Sequence, residues 1–393
     1  MGPPQPGGPG AALVALPRSL SAAEQTVLSS SNAFSFALWT RINAAQPDSN
    51  VFVSPLSASF SLGMALNGAA GQTFDEMRSG LQFGTTSLAD IDAGYKSLVA
   101  LLTSLDPSVT MEIANSIWYR NSFQFDQAFL DAGAGSFNAT IKPLNFNDAP
   151  GSLAAINSWV NDRTHGKIPT ILESIGPFDV MYLINAIYFK GSWRTRFDAA
   201  QTIAAPFHSA GGDQPAHLMH RHGTMSYTAT SAYQAVDLPY GDSAFTMTVV
   251  LPAPSTTVDA VATSLDAAAW QAITAGLHSG DVDLYLPKVT MSWERELKPD
   301  LQALGINLPF SPAQADFTKM SAAGGLYISF VKQKTFVDIN EEGTEAAAVT
   351  ATGIALTSTP VTSLIRVDRP FIFAIRERLS GTVLFMGKVV RLP

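Results

Sequence analysis

Between Ala346 and Ile365 the chain runs for 20 residues without a charge, AAAVTATGIALTSTPVTSLI. A helix of that length could cross a bilayer, so the content of the run decides between two classes of protein. Thr350, Thr352, Thr357, Ser358, Thr359, Thr362 and Ser363 carry hydroxyls, and Gly353 and Pro360 break a helix. The run is therefore read as an uncharged segment of small residues in a soluble protein. The rest of the chain agrees. With 46% hydrophobic and 14% charged residues, its 393 residues are too apolar for a disordered polymer. The absence of cysteine excludes disulfides, thiol nucleophiles and cysteine-held metals. A net charge of −8 argues against nucleic acid or an anionic membrane as the main partner.

Residues 1–20 begin as a Pro/Gly-rich, uncharged stretch and are expected to form a disordered tail. No intact signal peptide is legible there, and the tail is compatible with the remnant of a removed one. From residue 23 to 45 a helical stripe of Val27, Phe34, Leu38 and Ile42 appears. Asn50 to Val53 is a short extended run. Ser54 then Pro55 opens a helix that is apolar nearly all round, as a buried helix must be. Further helices are expected at 88–104, 151–163, 258–276 and 293–304. Strands are expected at 116–120, 181–193, 244–252, 283–293, 326–339, 369–377 and 381–390. Helices dominate the first half and strands the second, which predicts an α+β fold. No repeat or interior linker is seen, so 21–393 reads as one domain.

Common catalytic signatures are missing: there is no G-x-S-x-G, H-E-x-x-H or P-loop. His217, His220 and His222 lie close in sequence. On a strand His220 and His222 would share a face, roughly 7 Å apart, wide for one metal. They are read as solvated strand residues. Asp338, Glu341 and Glu342 lack the spacing of a calcium loop and are read as ion-paired or solvated. No cofactor or metal is expected.

The segment VDINEEGTEAAAVTATGIAL (337–356) is the most informative. At period two, one face carries Thr344, Ala346, Ala348, Thr350, Thr352 and Ile354. The other carries Glu345, Ala347, Val349, Ala351 and Gly353. The first face could be buried without stranding a charge, and its small residues limit overpacking. Yet alanine is a poor strand former, and Gly353 and Pro360 suit an exposed loop. A loop that can also serve as a strand, and an ordinary surface loop, both fit these residues.

Five blocks in order resemble the serpins, the serine protease inhibitor superfamily. They are NVFVSPLSASFSLGMALNGAAGQT (50–73), INSWVNDRTHGKI (156–168), NAIYFKGSW (185–193), EEGTEAAAVT (341–350) and DRPFIFAIRERLSGTVLFMGKVV (368–390). The resemblance implies three β-sheets, eight or nine helices and an exposed reactive loop at about 342–362. It further implies suicide inhibition. A serine protease attacks the loop, and the cut loop enters the central sheet as a new strand. The protease is then held as a covalent acyl-enzyme. That mechanism comes with the resemblance and is not read from composition or spacing.

The family's hinge maps to Glu341, Gly343, Thr344, Glu345, Ala346, Ala347 and Ala348. Gly343 matches the glycine fifteen residues before the cut, which implies cleavage at Thr357-Ser358, with Leu356-Thr357 as the alternative and Thr359-Pro360 last. These residues offer no Arg or Lys, so elastase-, subtilisin- or chymotrypsin-like targets are expected. Ser54, Ser57 and Asn185 match the polar shutter beneath the central sheet, with helix capping the competing reading for the two serines. Gln333 stands at the family's shutter histidine and cannot titrate near neutral pH. Trp193, Lys288 and Glu341 match the breach at the top of the sheet, where simple packing competes for Trp193. An inhibitor acting as a monomer, not itself an enzyme, is expected, with no nucleic acid or membrane partner. The alternative is a non-inhibitory binding or chaperone protein. A secreted location is expected, with the cytoplasm as the alternative. Asn138-Ala139-Thr140 would be a glycosylation acceptor only in a eukaryotic secretory pathway. Lys96 is the one basic residue of helix 88–104, so no polyanionic regulator is expected.

Overall fold

The computed structural model describes residues 10–344 and 362–393. Helix α1 (Ala22–Ala45) opens with a capping box, in which the Ser21 hydroxyl accepts from Glu24 N and the Glu24 carboxylate accepts from Ser21 N. Its stripe of Val27, Phe34, Leu38 and Ile42 is buried as expected. After β1 (Val51–Val53) comes α2 (Pro55–Leu66), buried at every residue, which is why it has no polar face. The first half continues with α3 (Gly71–Gly80), α4 (Leu88–Ser104), β2 (Val109–Arg120) and α5 (Gln127–Phe137). It ends with β3 (Thr140–Leu144), α6 (Ala149–Arg163) and β4 (Met181–Ser192).

The second half is strand-rich. It holds β5 (Ile203–Ser209), β6 (Gly212–Ala229), β7 (Tyr233–Pro239) and β8 (Phe245–Pro252). The helix expected at 258–276 is two, α7 (Val258–Ser264) and α8 (Ala267–Ala275), because Asp266 breaks the first and caps the second through Ala269 N. The strand expected at 283–293 is likewise two, β9 (His278–Pro287) and β10 (Val289–Glu296), which lie in different sheets. Helix α9 (Lys298–Ala303) starts later than expected, since residues up to Glu296 belong to β10. The remaining strands are β11 (Phe330–Asn340), β12 (Gly343–Thr344), β13 (Ser363–Arg366), β14 (Phe371–Glu377) and β15 (Val383–Val389).

The fold is α+β, with nine α-helices among the described residues. The central sheet runs β10-β11-β12-β4-β2-β3. The other strands form one nine-stranded sheet, continuous because the long β6 pairs with β5, β7 and β9. Two of the three expected sheets are thus joined through β6. The inner face of the central sheet lies on the main core with α2. Its outer face carries a second apolar cluster, in which Ile156, Val160, Ile168 and Leu172, from α6 and the segment after it, cover Trp118, Tyr182 and Ile184. Each such aliphatic side chain contributes about 1.5–3 kcal/mol on burial, so this cover is firmly held.

Residues 10–20, expected to belong to a disordered tail, lie against the domain. Leu13 N donates to Asp242 O at 2.7 Å, and the Arg194 guanidinium donates to Gly10 O at 3.1 Å. Leu13, Leu16 and Leu20 pack on the core. The sequence hid this because Leu13, Leu16 and Leu20, though helically spaced, straddle Pro17 in a stretch of Pro, Gly and Ala.

Candidate functional site: the top and middle of the central sheet

The two residues of β12 sit between β11 and β4 and pair antiparallel with both. Thr344 is flanked by Ile339 on β11 and Gly191 on β4, and is 2% exposed. Its hydroxyl shares a hydrogen bond of 2.7 Å with that of Tyr240. Gly343 has φ +154°, and a Cβ there would come 2.1 Å from Gly191 O. Only glycine passes that close to a neighbouring backbone.

The chain just before this point is fixed from several sides. Lys288 Nζ lies 2.9 Å from Glu341, and the Thr202 hydroxyl donates to the same carboxylate at 2.9 Å. Burial pushes the Glu341 carboxyl up, but the hydrogen bond and charge of Lys288, with Thr202 and backbone, outweigh it and hold it below its ordinary range. Arg196 pairs with Glu342 at 2.8 Å. Trp193 N donates to Glu342 O and its indole donates to Asn340 O, both at 2.8 Å, while the ring stacks on Tyr240 at 4.5 Å. Trp193 is thus both core and anchor. Lys288, Glu341 and Trp193 are brought together at the top of the central sheet.

Lower down, β4 and β11 pair directly and parallel, Tyr182–Ile184 against Phe330–Lys332. Across 185–190 and 333–338 the two strands are not ladder partners. The polar group expected beneath this gap is assembled. The Gln333 carboxamide accepts from Ser54 N and donates to Ser54 O, both at 2.8 Å, as a backbone peptide would. The Ser54 hydroxyl donates to Leu384 O at 2.8 Å and makes no cap bond, so the capping reading of its side chain fails. Ser57 donates to Asn185 Oδ1, and Asn185 donates to Asn115 Oδ1. Asn115 and Tyr240 were missed in the sequence. Asn115 precedes the run read as a strand, and Tyr240 sits at the turn after β7.

On the outer face, the segment after α6 bridges the same gap. The His165 ring packs on Tyr188 of β4 at 4.4 Å, Lys167 lies over Phe336 of β11 at 4.9 Å, and Lys334 donates to Thr170 O at 3.0 Å.

Away from this region, His220 pairs with Asp283 at 2.6 Å and His222 with Asp281 at 3.0 Å, while His217 is exposed. The acidic partners come from β9, which sequence proximity could not show. Among the described residues no group of three or more His, Asp or Glu could hold a metal. Asp338 accepts from Thr290 at 2.7 Å and from Asn340 at 3.0 Å. Among the described residues no helix is long and apolar enough to cross a membrane. Glu345, Ala346, Ala347 and Ala348 of the hinge, and the bond candidates Leu356, Thr357 and Ser358, lie outside the described residues.

A sheet parted at its top and closed at its foot, with the hinge of an uncharged segment between the parted strands, defines the serpin class. The family model for serpin (serine protease inhibitor) matches residues 29–392, and the chain belongs to that family. It is 29% identical to human Serpin B11 over 380 residues, covering 91% of this chain and 97% of that one. It is 32% identical to the leukocyte elastase inhibitor of Xenopus tropicalis over 366 residues, covering 90% and 96%. Its fold is similar to native tengpin, a thermophilic serpin, with a TM-score of 0.87 at 30% identity over 95% of this chain and 96% of that one. It is similar too to human thyroxine-binding globulin in complex with thyroxine, with a TM-score of 0.88 at 26% identity, over 94% and 100%.

Proposed function

We propose that this protein inhibits serine proteases as a suicide substrate, by inserting its cleaved loop between β4 and β11. The observation that carries the reading is one of register. Where β4 and β11 touch, Leu183 pairs with Val331; where β12 separates them, Gly191 and Ile339 flank Thr344. The offset between the two strands is the same in both places. A strand following Thr344 can therefore enter by lateral separation alone, with no slip that would turn side chains to the wrong face.

Extending the register sets Ala346 between Phe189 and Val337, Ala348 between Ile187 and Thr335, and Thr350 between Asn185 and Gln333. All of these partners but Ile187 are buried, and Ile187 packs against the core. Glu345, the single charge, would face outward between Lys190 and Asp338. The uncharged face thus meets the core, and the charged position meets solvent.

From Thr344 to Thr357 a strand spans roughly 46 Å, the scale of a whole domain. Net hydrogen-bond gains of ~0.5–1.5 kcal/mol each would sum over such a strand to on the order of 10 kcal/mol. That is comparable to a domain's entire stability.

The targets proposed are elastase-, subtilisin- or chymotrypsin-like, with cleavage at Thr357-Ser358, since no basic residue stands there. The hinge, shutter and breach roles of the residues above belong to the same proposal. The test is incubation with a panel of such proteases, read by denaturing gel and intact mass. A covalent complex resistant to denaturant, with release of the peptide after Thr357, is the expected result. Clean loop cleavage without complex would make the protein a substrate and favour a non-inhibitory binding role.

A further inference from the structure

The segment leading into β4 turns one aromatic ring out to solvent. Phe178 is 83% exposed, whereas every other phenylalanine among the described residues is buried or half-buried. An exposed apolar side chain is by itself ordinary. What sets this one apart is the backbone that carries it. Gly176-Pro177-Phe178-Asp179 is a turn closed by Asp179 N, which donates to Gly176 O at 3.2 Å, with proline at the second position, where its fixed φ suits the bend. The Asp179 carboxylate accepts from Gly176 N at 2.6 Å. Arg120, the last residue of β2, donates to Pro177 O at 2.8 Å and to Asp179 O at 3.0 Å. Tyr327, in the segment before β11, donates its hydroxyl to Phe178 O at 2.9 Å. These bonds fix the backbone while the ring stays in water. A ring presented on a fixed backbone loses little freedom on contact, which suits it to anchoring a protein surface.

Its place in the fold decides which protein it would meet. β4 begins at Met181, three residues on, so the turn lies at the foot of the central sheet. Gly191, the partner of Thr344, is ten residues further along β4 than Met181. The 14-residue strand proposed above would outrun β4 by three residues, and its end would come level with Phe178. We propose that Phe178 is a docking contact for the captured protease, taking an apolar patch of that enzyme's surface once the loop has entered. The inference rests on the reading that the cleaved loop enters the sheet with the protease attached. The turn is held by Arg120 of β2, and β2 pairs with β4, so it keeps its shape when β4 parts from β11. Thr344, from which the loop leaves the sheet, is at the other end of β4, so Phe178 takes no part in the first encounter with the enzyme.

The test is hydroxyl-radical footprinting read by mass spectrometry, on the intact chain, the loop-cleaved chain and the purified covalent complex with an elastase-like protease. Labelling of Phe178 should be equal in the first two and fall about fivefold or more in the complex, as a ring does on passing from water into an interface. Val14, 85% exposed and next to the residue that binds Asp242 near the top of the sheet, should be labelled alike in all three. Phe178 labelled as strongly in the complex as in the cleaved chain would overturn the docking assignment while leaving insertion standing. So would equal protection in the cleaved chain alone, or protection in the intact chain that grows with its concentration, which would mark a second copy as the occupant. Failure to form any covalent complex would overturn the assignment together with the inhibitor reading.

Discussion

Replacing Thr344 by arginine tests the insertion reading at the point where the new strand begins. Thr344 lies between Gly191 and Ile339 with its hydroxyl on Tyr240, and none of these three carries a negative charge. Losing the hydroxyl strands that of the fully buried Tyr240, at about 1–3 kcal/mol. An unpaired guanidinium in the same place costs several kcal/mol more. A total on the order of 5 kcal/mol does not cancel the ~10 kcal/mol expected from a full strand. It falls, however, on the first step of entry. A barrier raised by that much slows insertion by roughly 10³–10⁴-fold. Deacylation of the bound protease is untouched, so it wins the competition. Wild-type protein mixed with an elastase-like protease should give covalent complex, whereas Thr344→Arg should give cleaved chain and free enzyme. Glu345→Arg, one residue on but facing outward in the proposed register, should keep most of the complex. Equal complex yields from Thr344→Arg and wild type would refute the reasoning, since a buried cation cannot be indifferent to entry at that site. Trp193, stacked on Tyr240, offers a second readout: its fluorescence should change in the intact variant if β12 is expelled.

Three further substitutions bear on the same device, and a fourth tests the start of α1. Gly343→Ala forces a Cβ to 2.1 Å from Gly191 O, so β12 should leave the sheet in the intact protein and complex yield should fall sharply; gel densitometry and Trp193 fluorescence report both. Gln333→Ala leaves the buried Ser54 N–H unpaired, while Ser54 O keeps Ala58 N at 3.3 Å, and should lower the stability of the intact form by roughly 1–3 kcal/mol, seen as a lower thermal midpoint. Gln333→His should instead make that stability vary between about pH 5 and 8, which it does not through Gln333 itself. The Glu24 carboxyl is held at about 2, chiefly by the Arg18 hydrogen bond. Its pKa is depressed in the folded state, so its contribution is present above pH 4.5 and is lost as pH falls toward 2. Arg18→Ala should therefore flatten acid-induced destabilisation in that window, measured by circular dichroism against pH.

What could be read from the sequence follows the physics of each element. Helix α2 was legible because a helix apolar on all sides has only one place to go. Residues 88–104 were legible because Ile91, Tyr95, Leu98 and Leu102 recur at helical spacing, the face that α4 buries. Strands β5 and β3 were not, because they are largely exposed or half-buried and carry no clean alternation. The split at Asp266 hid because Leu265 and Trp270 keep the apolar count high across the break. At the site, the shutter and breach residues were carried by the resemblance, since nothing in the order of the chain brings Gln333 to Ser54 or Lys288 to Glu341. Asn115 was invisible for a related reason. A buried polar residue shows its meaning only through its partner, which for Asn115 is Asn185 on β4.

On the proposed mechanism, the described contacts would divide control of insertion between two places. At the top, Glu341, Glu342 and Trp193 fix the point from which a strand must start, and β12 already holds the register it would follow. In the middle, what opposes entry is not register but separation. The Tyr182–Ile184 ladder, the Ser54–Gln333 and Ser57–Asn185 contacts, and the bridge of His165, Lys167 and Thr170 all hold β4 and β11 at their present spacing. On that proposal, thermodynamic drive and kinetic restraint reside in different residues. Changes that weaken only the restraint, such as Lys334→Ala, should speed insertion and also shorten the lifetime of the intact form. Changes on the entering face, such as Ala348→Glu, should lower the stability of the cleaved form with little effect on the intact one. A variant set in which both properties always moved together would contradict this division.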